Sequence, residues 1–454
     1  MTLSEKIVDY VISLNKKEIP EMVYLKAQEH FQDTVACIMA GAGKEAIRLA
    51  VDYCVETTGS NASSVIGYKD VKLNSGNAAM VNAMAAHICD YDDMSMELNG
   101  HSSTVLVPTV LAVGEEMQCS GTEILDAYIT GIQINSVLGR LVANTKIDPG
   151  WNLTSLVGIF GATIAAGILY KLSREQLINA IGIASGEASG TKVNYGTMTK
   201  DLTVGRTAEK AIFSCKFAKK GFEAKTTALD GDNSILKIAA SDIDFSEVDA
   251  ILNDRFELIS PEITIKPYPT CRGNHSGIDA ILYIKQTYDF DCHNIQKIIC
   301  NLGSFSYECD RYHYPKTPTE GKFSLAYCIA LILIKGRIQI SDMEGENITD
   351  PEICELMKKV EIILDKDTEY SQKCEMSVIL KDGTTFKCEK KIPKGDPCIP
   401  VSKIEQKEKF KGCCERLSEK TDPEELYMFI NNIKNIDNIA DFISKINSYN
   451  QEEV

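Results

Sequence analysis

Basic residues are in the minority in this chain. Its 454 residues include 48 lysines and arginines against 64 aspartates and glutamates, which gives a formal net charge of −16 at pH 7. A nucleic-acid-binding surface needs an excess of basic side chains, so this balance argues against a DNA or RNA partner. A small anionic ligand is still compatible with it, because a few lysines in a cleft are enough to set the local field.

Paired cysteine motifs are also missing, although the chain contains 16 cysteines. No two of them are spaced as C-x-x-C, and the nearest neighbours, Cys413 and Cys414, are adjacent, which suits neither a shared zinc ion nor an unstrained disulfide. Residues 1–10 are polar and acidic, without the apolar core of a secretion signal. We therefore expect reduced thiols, no metal and a cytoplasmic location.

Several catalytic motifs are absent. The chain has no G-x-S-x-G serine elbow, no H-E-x-x-H zinc motif and no G-x-G-x-x-G after a predicted strand. The small-residue segment 182–190 lacks the pattern of a phosphate-binding loop, so we interpret it as a close helix contact. A cysteine-based hydrolase stays open, although no local signature supports one.

One uncharged run is long enough to span a bilayer. Residues 150–170 contain no charged side chain. They are rich in glycine and alanine rather than leucine, and no basic flanking pattern accompanies them. This composition favours a central buried helix in a protein that makes no membrane contact.

Helical patterns dominate the first part of the chain, where apolar residues at helical spacing are joined by short loops. From residue 256 the pattern becomes mixed, and after residue 400 it returns to helices. We predict a mainly α fold with a large all-helical domain, residues 1–255 and 400–454, and a smaller α+β domain, residues 256–399. Strands are predicted over residues 257–266, 295–302, 360–364, 376–380 and 386–390, with a hairpin turn at Lys381-Asp382-Gly383.

An acidic corner separates two of the predicted helices. Asp90, Asp92 and Asp93 follow an alanine- and methionine-rich helix, and a turn at Asn99-Gly100 leads to His101. Three interpretations are open: helix capping by one aspartate, metal ligation, and a carboxylate–histidine pair that transfers protons. The last suits an enzyme, because histidine titrates near neutral pH and a carboxylate can orient it.

Two further segments carry cations. Lys200 precedes a long helix, where the helix dipole disfavours it, so it is either a solvated surface residue or a group that binds carboxylates or moves protons. Residues 266–275 follow a predicted strand, are stiffened by two prolines, and contain Lys266, Arg272 and His275. Such residues at a helix N-terminus suit an anion site, although an ordinary strand-to-helix turn remains an alternative.

Taken in this order, these segments resemble the MmgE/PrpD family, which includes 2-methylcitrate dehydratase, cis-aconitate decarboxylase and iminodisuccinate epimerase. The resemblance covers nearly the whole chain, and its motifs together are specific for the family, but they do not select one activity. The residues that carry it are His87, Asp90-Tyr91-Asp92-Asp93, His101-Ser102-Ser103, Pro108, Thr199-Lys200, Gly205, Lys266-Pro267-Tyr268-Pro269, Cys271-Arg272, His275, Gly321-Lys322-Phe323-Ser324-Leu325 and Tyr327.

The resemblance implies an all-helical domain, an α+β domain, an active site between them, a homodimer, and neither an organic cofactor nor a metal. It implies proton transfer next to a carboxylate of a small di- or tricarboxylic acid, followed by loss of water, loss of carbon dioxide or inversion. We expect His101, oriented by Asp93, to move the proton, with His275 or Lys200 on the other side of the carbanion-like centre. By position, the catalytic residues would be Asp93, His101, Lys200, Lys266 and His275, and the substrate-binding residues would be Asn152, Arg272 and Lys322.

Two positions depart from the family, because Asn152 and Thr203 stand where it commonly has histidines. Asparagine hydrogen-bonds a carboxylate but carries no proton at neutral pH. We therefore expect a 2-methylcitrate dehydratase-like or cis-aconitate decarboxylase-like lyase whose substrate or proton donor differs from the usual one. The alternatives are an epimerase of an iminodisuccinate-like substrate and a non-catalytic carboxylate-binding protein with the same fold.

Overall fold

The computed structural model describes residues 1–14, 18–57, 59–143, 145, 147, 150–240, 242–252, 255–259, 263–415, 417 and 421–449. Most of the described chain before residue 253 is helical, as predicted. The helices of this part, the helical body, are α1 (Leu3–Leu14), α2 (Glu21–Gly41), α3 (Glu45–Thr57), α4 (Ser75–Ile88), α5 (Ser102–Met117), α6 (Gly121–Ala143), α7 (Leu153–Leu156), α8 (Gly158–Leu169), α9 (Arg174–Glu187), α10 (Met198–Lys219), α11 (Ile235–Ala239) and α12 (Val248–Leu252).

Local sequence signals set the starts of two of these helices. Ser173 forms a capping box with Gln176 at the start of α9, as their spacing predicts. The Thr197 side chain caps α10 by accepting a hydrogen bond from the backbone N–H of Thr199. The second cap places Lys200 in the first turn of α10.

The uncharged segment forms the centre of the helical body. It contains the short helix α7 and then α8, whose residues are buried almost without exception. This confirms the prediction of a central buried helix. Among the described residues, no helix combines the length and the apolar character needed to cross a bilayer.

Two short antiparallel strand pairs tie loops to the helical body. One joins β1 (Ser63–Ser64) to β2 (Lys72–Leu73). The other joins β3 (Met94–Ser95), which belongs to the acidic corner, to β4 (Ile263–Thr264). Because β4 ends two residues before Lys266, this second pair brings the segment that begins with Lys266 to the corner.

The prediction of one strand over residues 257–266 is wrong for five of the seven residues that the structure describes there. Only β4 is extended, and residues 257–259 form a turn in which the Ile259 backbone N–H donates to the Phe256 carbonyl. The backbone N–H of Glu257 donates instead to the side chain of Gln133 on α6, so a tertiary contact replaces the strand ladder. Residues 260–262 lie outside the described residues.

The mixed lobe follows this segment. Its four-stranded sheet has the order β6-β5-β7-β8, with β5 and β6 parallel and the other neighbours antiparallel. The strands agree with the predictions to within two residues, and the hairpin turn after β7 contains Gly383 at a φ of 89°. The elements are α13 (His275–Thr287), β5 (Ile295–Leu302), α14 (Ser304–Cys309), α15 (Pro318–Gly321), α16 (Leu325–Lys335), α17 (Pro351–Met357), β6 (Val360–Leu364), β7 (Cys374–Leu380) and β8 (Thr385–Lys390).

The described residues form two separate hydrophobic cores. One unites side chains of the helical body with those of the last helices, for example Phe410, Tyr427 and Phe442. The other lies between the sheet and helices α13, α16 and α17. A mainly α fold with a smaller α+β domain is thereby confirmed, whereas the domain boundaries at residues 255/256 and 399/400 remain a proposal. The last helices are α18 (Lys403–Cys413), α19 (Pro423–Asn431) and α20 (Ile439–Ser448).

The close approach of α10 to α4 yields a stability prediction. A Cβ atom added at Gly205 would lie 2.6 Å from the Met80 carbonyl oxygen, so Gly205→Ala must push these helices apart. We expect a loss of about 1–3 kcal/mol in the free energy of unfolding, measured by urea denaturation. In the matched variant Gly186→Ala, near the end of α9, the new methyl group meets nothing within 4 Å, so stability should stay the same or rise. Equal effects of the two substitutions would contradict the packing.

Candidate active site

A cavity of about 890 Å³ opens where the acidic corner, the start of α10 and the segment after β4 meet. It therefore lies between the helical body and the mixed lobe. In a protein with a net charge of −16, the described wall of this cavity carries more cations than carboxylates. A concave surface of this kind concentrates positive potential and attracts small anions. The cations are Lys192, Lys200, Lys266, Arg272 and Arg311, and the carboxylates are Asp90 and Glu308.

Asp90 joins the segments that form the wall. Its Oδ1 accepts a 2.6 Å hydrogen bond from Lys266 Nζ, which also donates to the Asp90 carbonyl at 3.0 Å. The Nζ atom of Lys200 lies 3.4 Å from Oδ2. Burial by itself would raise the pKa of Asp90, but the two ammonium groups outweigh it and hold this pKa well below its usual range. All three side chains are buried, so this is an ionised cluster in the protein interior.

The interpretation of Lys200 as a solvated surface residue is wrong. Its side chain is only 6% exposed, and its ammonium group also lies 3.7 Å from Asp201 Oδ1. The aromatic rings of Tyr195 and Phe323 lie beside it, with centroids 6.0 and 5.7 Å from Nζ. Burial lowers the pKa of Lys200, but Asp90 and Asp201 together raise it by a larger amount. The net shift of this pKa is upward, so Lys200 stays charged. The cost of a lysine in the first turn of α10 is thus offset by buried carboxylates.

His101 lines the cavity and is held through one nitrogen. Its Nδ1 lies 2.8 Å from the Asp93 carbonyl oxygen and 3.0 Å from Asp92 Oδ2. Because a carbonyl oxygen only accepts, Nδ1 must carry the proton, which leaves Nε2 to exchange protons with a ligand. The Asp92 carboxylate also accepts from His87 Nδ1 at 2.9 Å. Burial would raise the pKa of Asp92, but the two imidazoles hold it well below its usual range, so the carboxylate stays ionised beside His101.

The expectation that the Asp93 carboxylate orients His101 is wrong. Asp93 Oδ2 lies 2.8 Å from His30 Nδ1 and accepts a 2.6 Å hydrogen bond from Ser103 Oγ. Only the backbone carbonyl of Asp93 contacts His101, and Asp92 supplies the carboxylate. The left-handed φ of 52° at Asp90 turns the chain at the end of α4. His30 on α2 belongs to this cluster but has no motif around it, so its sequence offered no signal.

His275 does not take the position expected of it, whereas Arg272 lines the cavity but is already bonded to the protein. His275 is fully buried, does not line the cavity, and bonds to the Thr270 carbonyl and the Arg272 guanidinium. Burial, with Arg272 and Lys266 nearby, holds the pKa of His275 well below its usual range. Arg272 reaches the wall, but its donors serve the Gln372 side chain and the carbonyls of Pro393 and Lys394. Burial lowers its pKa to about 10. A bidentate grip on substrate would have to break these bonds.

Asn152 and Lys322 also stand behind the wall rather than in it. Asn152 is buried at the start of α7, between Trp151 and Thr154, which do line the cavity. The Lys322 ammonium group donates to the Ile88 carbonyl at the end of α4. Asn152 and Lys322 are therefore not among the described residues that line the cavity, and they contact its surroundings instead. Thr203 donates to the Thr199 carbonyl within α10 and does not reach the cavity either.

Sequence reasoning missed several lining residues. Lys192 lies in a 3₁₀ turn, and Arg311 follows α14 with its guanidinium 5.0 Å from the ring centroid of Tyr195. Cys271 and Cys309 also line the cavity. Cys271 lay inside a motif that was singled out for its charged neighbours, whereas the others come from segments without a chemical signature.

Three side chains have the donor types of a metal site. Ligand atoms of His87, Asp92 and His101 lie within 4.8 Å of one another. Both Nδ1 atoms are, however, hydrogen-bonded to Asp92. Burial lowers the pKa of His87, and the nearby Lys200 ammonium lowers it further. We interpret the three residues as a hydrogen-bonded carboxylate–imidazole cluster.

Comparison with known proteins supports this account of the fold. The family model described as MmgE/PrpD N-terminal domain matches residues 5–247, and the MmgE/PrpD C-terminal domain matches residues 268–432. A cis-aconitate decarboxylase of Homo sapiens is 24% identical over 455 residues, covering 97% of this chain and 93% of that protein. The Mus musculus cis-aconitate decarboxylase is 23% identical, with 97% and 92% covered. That of Aspergillus terreus is 24% identical over 380 residues, with 79% and 77% covered.

The buried cluster around Asp90 yields a second stability prediction. In Asp90→Asn, two buried ammonium groups lose their shared carboxylate, and we expect a loss of about 3–5 kcal/mol in the free energy of unfolding. The control Glu361→Gln breaks a pair with Lys297 in which both side chains are about half exposed. It should cost at most about 1 kcal/mol. Urea denaturation at pH 7 measures both, and a small loss in Asp90→Asn would contradict the cluster.

The buried His275 yields a pH prediction. Its folded-state pKa is depressed, so below the unfolded value of about 6.5 the unfolded chain takes up a proton that the folded chain does not. His275 therefore costs stability as pH falls from 7 to 5, by up to about 1.4 kcal/mol per pH unit. His275→Gln can keep both hydrogen bonds but cannot titrate, so its stability should fall less steeply over this range. Parallel stability–pH curves for the wild type and the variant would rule this out.

Proposed function

This chain belongs to the MmgE/PrpD family, and we propose that it is a cofactor-independent lyase acting on a small di- or tricarboxylic acid by proton transfer next to a carboxylate. The observation that carries the proposal is the cationic cavity that contains His101 in an otherwise acidic protein. The named relatives favour loss of carbon dioxide from a cis-aconitate-like acid over loss of water. A homodimer and a cytoplasmic location remain predictions.

The lysines provide the binding step. Lys200 and Lys266 both pair with Asp90, and Lys200 also lies near Asp201, so buried carboxylates hold the two ammonium groups in the wall of the cavity. Lys192 and Arg311 add positive charge to the wall. A carboxylate that enters the cavity is attracted by these cations, and within the cavity this attraction is stronger than at an open surface.

The same cations favour the chemical step. When the bond to the departing carboxylate breaks, carbon dioxide leaves and the electron pair stays on the substrate as a carbanion, which a neighbouring carboxylate delocalises as an enediolate. The total charge does not change, but the negative charge of the departing carboxylate moves onto the retained one, so the enediolate group beside the lysines carries more charge than that carboxylate does in the bound substrate. Fixed cations therefore stabilise the transition state more than the ground state.

His101 is the group that we propose exchanges a proton with this enediolate. With Nδ1 held by the corner, the protonated Nε2 can donate to an enediolate oxygen and take the proton back when the carbon is protonated. The ionised Asp92 carboxylate lies 3.0 Å from Nδ1 and holds the ring in this orientation. Decarboxylation also requires an acid that delivers a proton to the carbon itself.

A substrate panel tests the proposal. The protein is incubated with cis-aconitate, 2-methylcitrate and iminodisuccinate in heavy water and followed by NMR. Loss of carbon dioxide with one deuteron incorporated at carbon is the expected result for cis-aconitate. Loss of water from 2-methylcitrate would show that the protein is a dehydratase instead of a decarboxylase. Deuterium exchange with inversion of iminodisuccinate would show that it is an epimerase. Saturable binding without turnover or exchange would show a carboxylate-binding protein.

His101→Ala tests the proton-transfer role. Loss of a general acid or base should lower turnover by about 10²–10⁴-fold on the substrate that the panel identifies. His293→Ala is the matched control, because His293 is an exposed histidine of the mixed lobe that pairs with Glu352 and is not part of the described wall of the cavity. Turnover by His101→Ala at the level of His293→Ala would reject the role given to His101.

A further inference from the structure

The cavity contains two cysteines that the proposed mechanism does not use. Of the cysteines in the described chain, Cys271 and Cys309 are the ones that line the cavity. Cys271 stands between Lys266 and the helix α13, and Cys309 ends α14. The two thiols are close neighbours in this wall, and each shifts the pKa of the other.

A glycine makes this thiol pair possible. A Cβ atom added at Gly273 would lie 2.3 Å from Cys309 Cβ and 2.9 Å from its Sγ, so only a residue without a side chain lets α14 approach the turn at Cys271. The backbone of Cys271 is held on both sides, since its N–H donates to the Lys322 carbonyl and its carbonyl accepts from Asn274. The thiol is therefore presented to the cavity from a fixed position.

We propose that Cys271 is the acid that protonates the substrate carbon, positioned by Cys309, in the role that the sequence suggested for His275 or Lys200. This inference rests on the proposed lyase function. His275 is fully buried behind the wall and bonded to protein groups, so it cannot reach a ligand without rearrangement. Lys200 is committed to the charge cluster with Asp90 and stays protonated at neutral pH.

The step balances in protons and electrons. After carbon dioxide leaves, the carbanion pair forms a C–H bond with the proton of the Cys271 thiol, and the S–H bond breaks to leave a thiolate. The thiolate then regains a proton from water that enters the cavity. In the reverse sense, the thiolate removes a proton from a carbon next to a carboxylate, which is the step needed for exchange or inversion.

The surroundings of Cys271 set its protonation near neutral pH. The neighbouring Cys309 thiol lowers the pKa of Cys271, burial and the Asp90 charge raise it, and Lys266 lowers it, so the pKa is about 7 overall. An acid whose pKa lies near the working pH is well placed both to give and to regain a proton. The titratable groups that face Cys271 are Cys309, Asp90, Lys266, Lys192, Tyr195 and Cys328.

The first experiment removes the thiol. The Cys271→Ser side chain has nearly the same shape as cysteine, but its hydroxyl is too weak an acid to protonate the substrate carbon. Turnover of cis-aconitate should therefore fall by about 10²–10⁴-fold while KM changes little. Cys398→Ser is the matched control, because Cys398 is the exposed cysteine on a loop of the described chain. Cys271→Ser that keeps the turnover of Cys398→Ser would overturn the proposal.

The second experiment follows the thiol itself in the full-length protein. The rate of Cys271 alkylation by iodoacetamide, measured by mass spectrometry against pH, should reach half its maximum near pH 7, and kcat/KM should fall above the same pH. Cys309→Ala should move both midpoints up by about one unit or more, towards the ordinary thiol value near 8.5. Cys309→Ser keeps a hydrogen-bond donor and should move them less. Midpoints that are the same in all three proteins, or a wild-type midpoint near 8.5, would overturn the role of Cys309.

The alkylation measurement also distinguishes a failure of this inference from a failure of the proposed lyase function. If the wild type turns over no acid of the panel, the lyase proposal fails, and protection of Cys271 by the saturated tricarboxylate tricarballylate decides the rest. Protection together with a midpoint near pH 7 supports a reactive thiol at the ligand site. Alkylation of Cys271 at an unchanged rate with saturating tricarballylate bound would place the thiol away from the ligand and overturn the inference.

Discussion

One buried carboxylate between two buried ammonium groups is the interaction on which the site depends. Asp90, Lys200 and Lys266 come from the corner after α4, from α10 and from the segment after β4, and each would be costly in the interior without the others. The carboxylate and the two ammonium groups offset one another's charges only when these segments meet. The same pairing that joins the segments therefore shapes the cavity, and Lys192, Arg272 and Arg311 add the positive charge that a carboxylate ligand needs.

The acidic corner shows how one short segment serves three purposes. Asp90 pairs with the lysines, Asp92 accepts from two imidazoles, and Asp93 bonds to His30 and Ser103. The left-handed backbone at Asp90 turns the chain where α4 ends, immediately before Asp92 and Asp93. A buried aspartate without such a partner would be protonated or destabilising. The three carboxylates are thus tolerated because each has its own donors, and one of them keeps His101 in a defined tautomer.

The mixed lobe contributes more to the cavity than its motif suggested. The segment 266–275 was noticed for its charged residues, yet Arg272 and His275 bond mainly to the lobe itself and hold the turn in place. Cys271, which directly precedes Arg272 in the motif and carries no formal charge, faces the cavity. In a rigid turn, neighbouring side chains point in different directions, so a motif can be functional while its most conspicuous members are structural.

The sequence by itself determined the helical body, the strands of the mixed lobe, the buried central helix and the presence of Lys200, Lys266 and His101 among the candidate residues, because periodicity, caps and turns are local properties. Only the tertiary structure decided which aspartate holds His101, that Asp93 turns to His30, that residues 257–259 leave the sheet pattern, and that Cys271 rather than His275 lines the cavity. Those outcomes depend on contacts between residues far apart in the chain. Burial and hydrogen-bond partners at such contacts are not encoded in the spacing of any one segment.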